Sequence, residues 1–285
     1  MIEDTLKILG GSDFLKEEIR CGYRVTSKMK NIWLVELDLL VEFSRICKKY
    51  NLRYYADSGT TLGAIRHNGF IPWDDDIDVS MPREDYEEFI KVAPFELKKP
   101  ISLQTPYTDN GYYYSFIKLR NENTTALVKA FKNAGFNQGI FLDIFPLDYC
   151  NPASFIQDRE IISECIKKLS LHMKGIEVLS RPELLHYYET IQNTASNPAY
   201  LGSDKVATSV ITMVSVERSI WDREWYSNYI NVDFEHGISI PIPIGYDGYL
   251  STLFGDYHQF PPLEERGNSH NGAIFDPHTP FSHYL

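Results

Sequence analysis

The sequence predicts an α+β fold, a mixed sheet with flanking helices followed by a mostly helical C-terminal half. Three patterns carry that reading. A helical apolar stripe spans residues 28–50, short strand-like runs fill residues 52–146, and helical periodicity dominates beyond Asn151. The break falls near residue 150 and separates 1–150 from 151–285, as two units or as halves of one continuous domain. At 285 residues, with 43% hydrophobic and 24% charged side chains, the chain has the composition of a protein with a sizeable core.

In chain order, residues 1–27 show no firm period and suit a lead-in helix or arm. From Lys28 to Tyr50 the stripe runs through Trp33, Leu37, Leu40, Val41 and Cys47. An apolar-aromatic run, Leu52 to Ala56, reads as a strand turning through Ser58-Gly59-Thr60 into a short helix that ends near Arg66 and His67. A second strand carries Asp76-Ile77-Asp78-Val79. Pro82 opens a helix with Glu84 and Asp85 in its first turn and Tyr86, Phe89, Ile90 and Ala93 on one face. Three short strands follow near 101–105, 113–120 and 124–128. Residues 139–146 then read as a buried strand carrying Asp143, with Asp148 in the turn beyond. Asn151-Pro152 caps a long helix toward Leu179, and 181–230 reads as mainly helical, interrupted at 196–202. An edge strand is expected at 234–241 and a last helix at Tyr246–Phe254.

Charge and composition exclude several functions. A net charge of −11 argues against a nucleic-acid partner, whose phosphates need a basic footprint. No apolar run approaches the roughly 18 residues of a membrane span, so no integral membrane segment is expected. The N-terminus lacks a basic start and apolar core, which places the protein in the cytoplasm, with a peripheral station at the inner face of the membrane for any lipid-linked partner. Cys21, Cys47, Cys150 and Cys165 have no metal or disulfide spacing and read as free thiols.

The chemistry concentrates between Tyr54 and Met81. Four aspartates, Asp74, Asp75, Asp76 and Asp78, stand within five residues. In a strand, side chains alternate faces, so Ile77 and Val79 point to the core while Asp76 and Asp78 stand together on the open face. Like charges so placed are relieved by protonation or by a cation, and carboxylates suit magnesium or manganese. Asp74 is in phase but sits at the strand mouth; Asp75 points the other way and reads as structural. Asp143, alone in an apolar strand, is costly to bury unless paired or bound to metal, and reads as the third ligand. The Ser-Gly turn offers an anion site at a helix N-terminus. Lys118 and Arg120 share one face of a strand, where they serve either as cleft cations for phosphate or as surface charges. Arg66 is a further phosphate candidate.

Turn, Asp-x-Asp strand and later Asp together resemble the nucleotidyltransferase catalytic core. Four blocks sharpen the likeness: YADSGTTLGAIRHNGFIPWDDDIDVSMPREDYEEF, FIKLRNENT, GIFLDIFPLD and FEHGISIPIPIGYDGYLSTLFGDYHQFPP, running from about residue 54 to 262. In this order they resemble the LicD family, with relatives akin to fukutin-related protein. The resemblance implies a nucleotidyltransferase-like fold and a phosphotransferase. It would move phosphocholine, or a similar head-group phosphate, from CDP-choline or a related CDP-linked donor to a sugar hydroxyl of a lipid-linked glycan, a teichoic acid or lipopolysaccharide precursor, releasing CMP. Asp76, Asp78 and Asp143 would hold Mg2+ (or Mn2+), two ions about 4 Å apart bridging the diphosphate. Asp143 would take the acceptor proton, and Ser58, Gly59 and Thr60 would cradle phosphate oxygens. A quaternary ammonium wants an aromatic cage, for which Trp73, Tyr112, Tyr113, Tyr114, Tyr246 and Tyr249 are candidates. Two other readings remain open at this level: an Asp-x-Asp glycosyltransferase using a nucleotide sugar, and a non-catalytic nucleotide- or metal-binding homologue.

Overall fold

The first fifty residues fold as helix α1 (Ile2–Ile8), a hairpin of β1 (Glu18–Arg20) and β2 (Tyr23–Val25), and the long helix α2 (Ser27–Tyr50) in the computed structural model, which describes residues 2–208, 215–267 and 273–285. Thr26 caps α2 by accepting the Met29 N–H, and Asn51 closes it in the left-handed region. Next come β3 (Tyr55–Ala56), α3 (Ser58–His67), β4 (Asp78–Pro82) and α4 (Arg83–Glu96). Strands β5 (Ile101–Gln104), β6 (Ile117–Asn121), β7 (Thr125–Val128) and β8 (Ile140–Tyr149) complete the first half. Beyond them lie α5 (Phe155–Met173), α6 (Arg181–Ala195), β9 (Lys205–Thr208), α7 (Val216–Ser219) and β10 (Trp221–Asp222). A hairpin of β11 (Tyr229–Asp233) and β12 (Ser239–Pro243), helix α8 (Tyr246–Phe254) and β13 (Ala273–Asp276) end the chain.

The fold is the mixed α+β structure that the sequence predicts. Its largest sheet has seven strands centred on β8, which pairs in parallel with β4 and antiparallel with β6 and β9. Antiparallel β3 joins β4, β5 joins β6, and β10 joins β9. Alternation gives the sheet two different faces. Val79, Met81, Leu119, Leu142 and Ile144 pack against Leu37 and Phe43 of α2 and Tyr86 and Phe89 of α4. Each such fully buried apolar side chain contributes about 1.5–3 kcal/mol. The opposite face carries Asp78, Lys118, Arg120, Phe141, Asp143 and Phe145.

Several local expectations change. The strand with the paired aspartates begins only at Asp78, so Asp76 sits in the extended approach to it. The run expected at 113–120 is a strand only from Ile117, because Tyr112 to Phe116 leave the sheet to build an aromatic wall. Asp148 lies within β8, held by Arg83, and not in a turn. The helix expected from Asn151 starts at Phe155. Residues 205–208 and 221–222, expected within a helical stretch, are strands that extend the sheet; β9 pairs with β8 on one side and β10 on the other, and Val206, Ala207 and Thr208 are all buried. The unassigned tail contributes β13, which pairs with β7.

Candidate active site

The site is built on strand register. Tyr55 pairs with Ser80 and Ala56 with Val79, and the next pair in that antiparallel ladder is Asp57 with Asp78, where the Asp57 N–H donates to the Asp78 carbonyl over 3.0 Å. Asp78 in turn pairs with Asp143, Asp143 with Lys118, and Lys118 with Gln104. Directly opposed residues share a face, with Cβ atoms about 4.5–5.5 Å apart. Asp57, Asp78, Asp143, Lys118 and Gln104 therefore form one row across the sheet. Within the row, one ammonium faces three carboxylates.

Lys118 answers the charge of Asp143. Its Nζ donates to Oδ2 at 2.9 Å and lies 2.6 Å from Oδ1, the second contact being an ion pair without hydrogen-bond alignment. Burial, with Arg120 adding to it against the pull of Asp143, lowers the Lys118 ammonium to about 8. Asp78 is in the opposite condition. Burial, then the charges of Asp76, Asp143 and Asp57, push its carboxyl well above the ordinary range. Asp74 is raised too, by burial and then by Asp76 and Asp75.

Above the row stands the Ser-Gly turn. Ser58 lines the cavity and adopts a positive φ of 42°; its hydroxyl donates to Asp57 Oδ1 at 2.8 Å. Its N–H donates to the Tyr249 hydroxyl at 3.0 Å. Gly59 lies so close to Asp74 that a Cβ there would stand 2.9 Å from the Asp74 carboxylate. The Thr60 hydroxyl accepts the Asp78 N–H at 2.8 Å, so in this arrangement it fixes the acid strand. The first-turn donors expected for phosphate thus have partners within the fold: Ser58 in Tyr249 and Asp57, Thr60 and Thr61 in the Asp57 carbonyl.

A cavity of about 700 Å³ opens on this row. Asp76, Asp78, Asp143, Lys118, Arg120 and Ser58 form its polar side. Tyr113, Tyr114, Phe116, Phe131, Phe136, Phe141, Phe145 and Trp221 form its walls, and Ile166 and Met173 of α5 close it. The Lys118 ammonium rests 3.6 Å from the centre of the Phe141 ring, 5.3 Å from Phe116 and 5.5 Å from Tyr114. Arg120 lines the same cavity, but its guanidinium is held by Gln104 Oε1 at 2.7 Å and the Gly139 carbonyl at 2.6 Å.

The structure brings Asp76, Asp78, Asp143, Ser58, Lys118 and Arg120 together around this cavity, with Gly59 and Thr60 packed directly behind. Arg66 stands apart. At the far end of α3, it donates to the Tyr257 and Gln259 carbonyls at 2.9 and 3.0 Å. Of the aromatic candidates, only Tyr113 and Tyr114 line the cavity. Tyr112 is fully buried and donates to the Phe116 carbonyl, Trp73 packs on Tyr23 and His67, Tyr246 packs in the apolar core beside α8, and Tyr249 serves Asp57. His270 lies outside the described residues.

Sequence reasoning missed Asp57, Glu36 and the phenylalanine walls. Asp57 directly precedes the Ser-Gly turn, and register alone makes it a neighbour of Asp78. Glu36 sits one helical turn after Trp33, on the buried stripe of α2, and its Oε2 has no hydrogen-bond partner among the described residues. Burial, then Asp76, Asp75, Asp74 and Asp78, push its carboxyl well above the ordinary range.

Among the described residues, a divalent cation fits Asp74, Asp75 and Asp76, which can each place a carboxylate oxygen within 4.8 Å of the others; this set shares Asp76 with the ligands expected from the sequence but includes neither Asp78 nor Asp143. Asp57 Oδ2 is closed from solvent and has no hydrogen-bond partner among the described residues. Carboxylate oxygens in excess of local cations are the donor set of a hard ion.

Residues 51–162 match the family profile described as LicD/FKTN/FKRP, nucleotidyltransferase domain. Lipopolysaccharide cholinephosphotransferase LicD of Haemophilus influenzae is 28% identical over 252 residues, covering 83% of this chain and 94% of that protein. An uncharacterized protein of Rickettsia typhi is 39% identical over 72 residues, 25% of this chain and 22% of its own length. One of Rickettsia prowazekii is 38% identical over 80 residues, 28% of this chain and 29% of its own.

Proposed function

We propose that this chain transfers phosphocholine from a CDP-linked donor to a sugar hydroxyl of a cell-surface glycan precursor, releasing CMP, a reading that its likeness to the LicD/FKTN/FKRP profile and to the Haemophilus cholinephosphotransferase supports. One observation carries the reading: the carboxylate row opens onto an aromatic-walled cavity whose rings already seat an ammonium. Carboxylates suit the metal-assisted handling of a diphosphate, and ring faces suit a quaternary ammonium.

Asp76, Asp78 and Asp143 would hold magnesium or manganese. Such an ion neutralises charge on the diphosphate and its leaving group. The residues of the chain do the rest. Lys118 holds Asp143 in place, so that Asp143 can accept the proton of the attacking hydroxyl. Thr60 holds the Asp78 backbone, and Asp74 lies against Gly59, so the turn and the acids keep one spacing. The walls from Tyr114 to Phe145 exclude water from the cleft, which strengthens every charge contact inside it. The Haemophilus relative is named for lipopolysaccharide, which supports a glycan acceptor. No helix among the described residues is long and apolar enough to cross a membrane; we place the reaction on the cytoplasmic side, at the inner membrane face, where a lipid-linked acceptor is presented.

The test is a donor screen with purified protein, magnesium and a lipopolysaccharide or teichoic acid precursor. CMP release from CDP-choline should exceed that from CDP-ethanolamine, CDP-glycerol and CDP-ribitol, and Asp76→Asn should be inactive while still folded. Release from none of the four donors ends this reading.

A further inference from the structure

We propose that Asp57 is a further cation-holding residue of this site, paired with Asp78 at the end of the row farthest from Lys118. The inference rests on the cation site of the proposed function and adds a residue to it. Three observations carry it. Register sets Asp57 directly opposite Asp78, and the ladder bond between their backbones fixes that pairing. The two carboxylates share a face at the usual cross-strand spacing, where like charges oppose each other. At 2% exposure, Asp57 has no solvent to screen that repulsion.

The two oxygens of Asp57 have different surroundings. Oδ1 accepts from the Tyr249 hydroxyl at 2.5 Å and from the Ser58 hydroxyl at 2.8 Å. Oδ2 has no hydrogen-bond partner among the described residues and is closed from solvent. A buried, unmatched carboxylate oxygen is costly unless a cation or a donor meets it. Lys118 cannot meet it, because the row places Asp78 and Asp143 between them. A cation at Asp78 answers both carboxylates at once. Tyr249, brought in by α8, donates to Oδ1 and accepts the Ser58 N–H, which sets the rotamer of Asp57 and the start of the turn together. The C-terminal helix thereby acts on the cation site without facing it. Tyr249 is a positioning residue.

The experiment measures binding of Mn2+ alone, with no nucleotide, by electron paramagnetic resonance and calorimetry. Asp57→Asn keeps the shape of the side chain and its acceptor oxygen but removes the charge. It should weaken Mn2+ binding about 10–100-fold, and its thermal midpoint without metal should be at or above that of the parent protein. Tyr249→Phe should weaken binding less than Asp57→Asn does. Parent-like Mn2+ affinity in Asp57→Asn, when Asp78→Asn has lost binding, overturns the proposal. So does an unchanged increment of thermal stability on adding Mn2+. Should Asp57→Asn not fold, Asp57→Glu keeps the charge and moves it by one methylene; an Mn2+ affinity unchanged in that variant overturns the proposal equally. Absence of Mn2+ binding by the parent protein sinks the site and the proposal together. Mn2+ binding that depends on Asp57, with no CMP release from any donor, upholds the proposal and sinks only the reaction.

Discussion

Strand β8 carries two buried carboxylates that meet different fates on the two faces of the sheet. Asp148 is closed by the forked guanidinium of Arg83, with Nε to Oδ1 at 2.7 Å and an η nitrogen to Oδ2 at 2.5 Å, while Gln192 takes a further guanidinium N–H at 2.8 Å. One charge meets one charge in matched geometry. Asp143, five residues earlier and on the other face, shares its row with Asp78 and Asp57 and a single ammonium. Burial is nearly the same, 4% exposed against 7%. The charge balance differs. A matched buried pair holds structure together, whereas an unmatched row carries like charges side by side at a cost in stability, and on the proposed reading a cation would offset it.

Removing a charge should therefore have opposite consequences on the two faces. Asp78→Asn should lower turnover by roughly 10³-fold and raise the thermal midpoint of the metal-free protein, because repulsion is relieved. Steady-state assays and thermal melts check both; a lower midpoint in this variant would break the comparison. Arg83→Leu should cost about 3–5 kcal/mol, since it strands Asp148, yet leave turnover per folded molecule unchanged in denaturant-calibrated assays. Gly59→Ala tests the spacing between turn and acids. Its Cβ would meet the Asp74 carboxylate at 2.9 Å, and displacement on the scale of an ångström predicts a loss of turnover of about 10²-fold with little change in the melt.

The smallest effect concerns pH. Burial, then Arg66, Arg20 and Arg266, pull His67 down from 6.5 to about 4. Between those values the unfolded chain binds a proton that the folded chain does not, so stability falls as pH drops from 6.5 toward 4. His67 is only half-buried, and screening reduces the effect. His67→Gln should recover about 2 °C of the difference in thermal midpoint between pH 7 and pH 5. Identical differences in both proteins would rule out this residue as a cause.

How much could be read in advance follows from which interactions are local. Alternation within one strand placed Asp78 on the face opposite Val79 and Met81, and the same rule put Asp143 opposite Leu142 and Ile144. The turn at Ser58-Gly59 and helices α2, α4 and α8 were legible from caps and periodicity. Strand β9 was not, because four residues carry too little period to outweigh their helical surroundings. Nor was the fate of Arg66, which depends on carbonyls near residue 258. The aromatic wall escaped for a similar reason: with 16 Phe and 19 Tyr in the chain, no count distinguishes those that converge.

Read alone, the sequence sets the kinds of group available, the face of each strand on which they stand, and the likeness of residues 51–162 to the LicD/FKTN/FKRP profile. Which carboxylates become neighbours, and which receive a counter-charge, depends on how the strands assemble. Side-chain alternation is a property of a single strand, but the register between strands is settled by core packing across nearly ninety residues, from Asp57 to Asp143. That register set Asp57 beside Asp78, gave Lys118 to Asp143, and left the row short of positive charge.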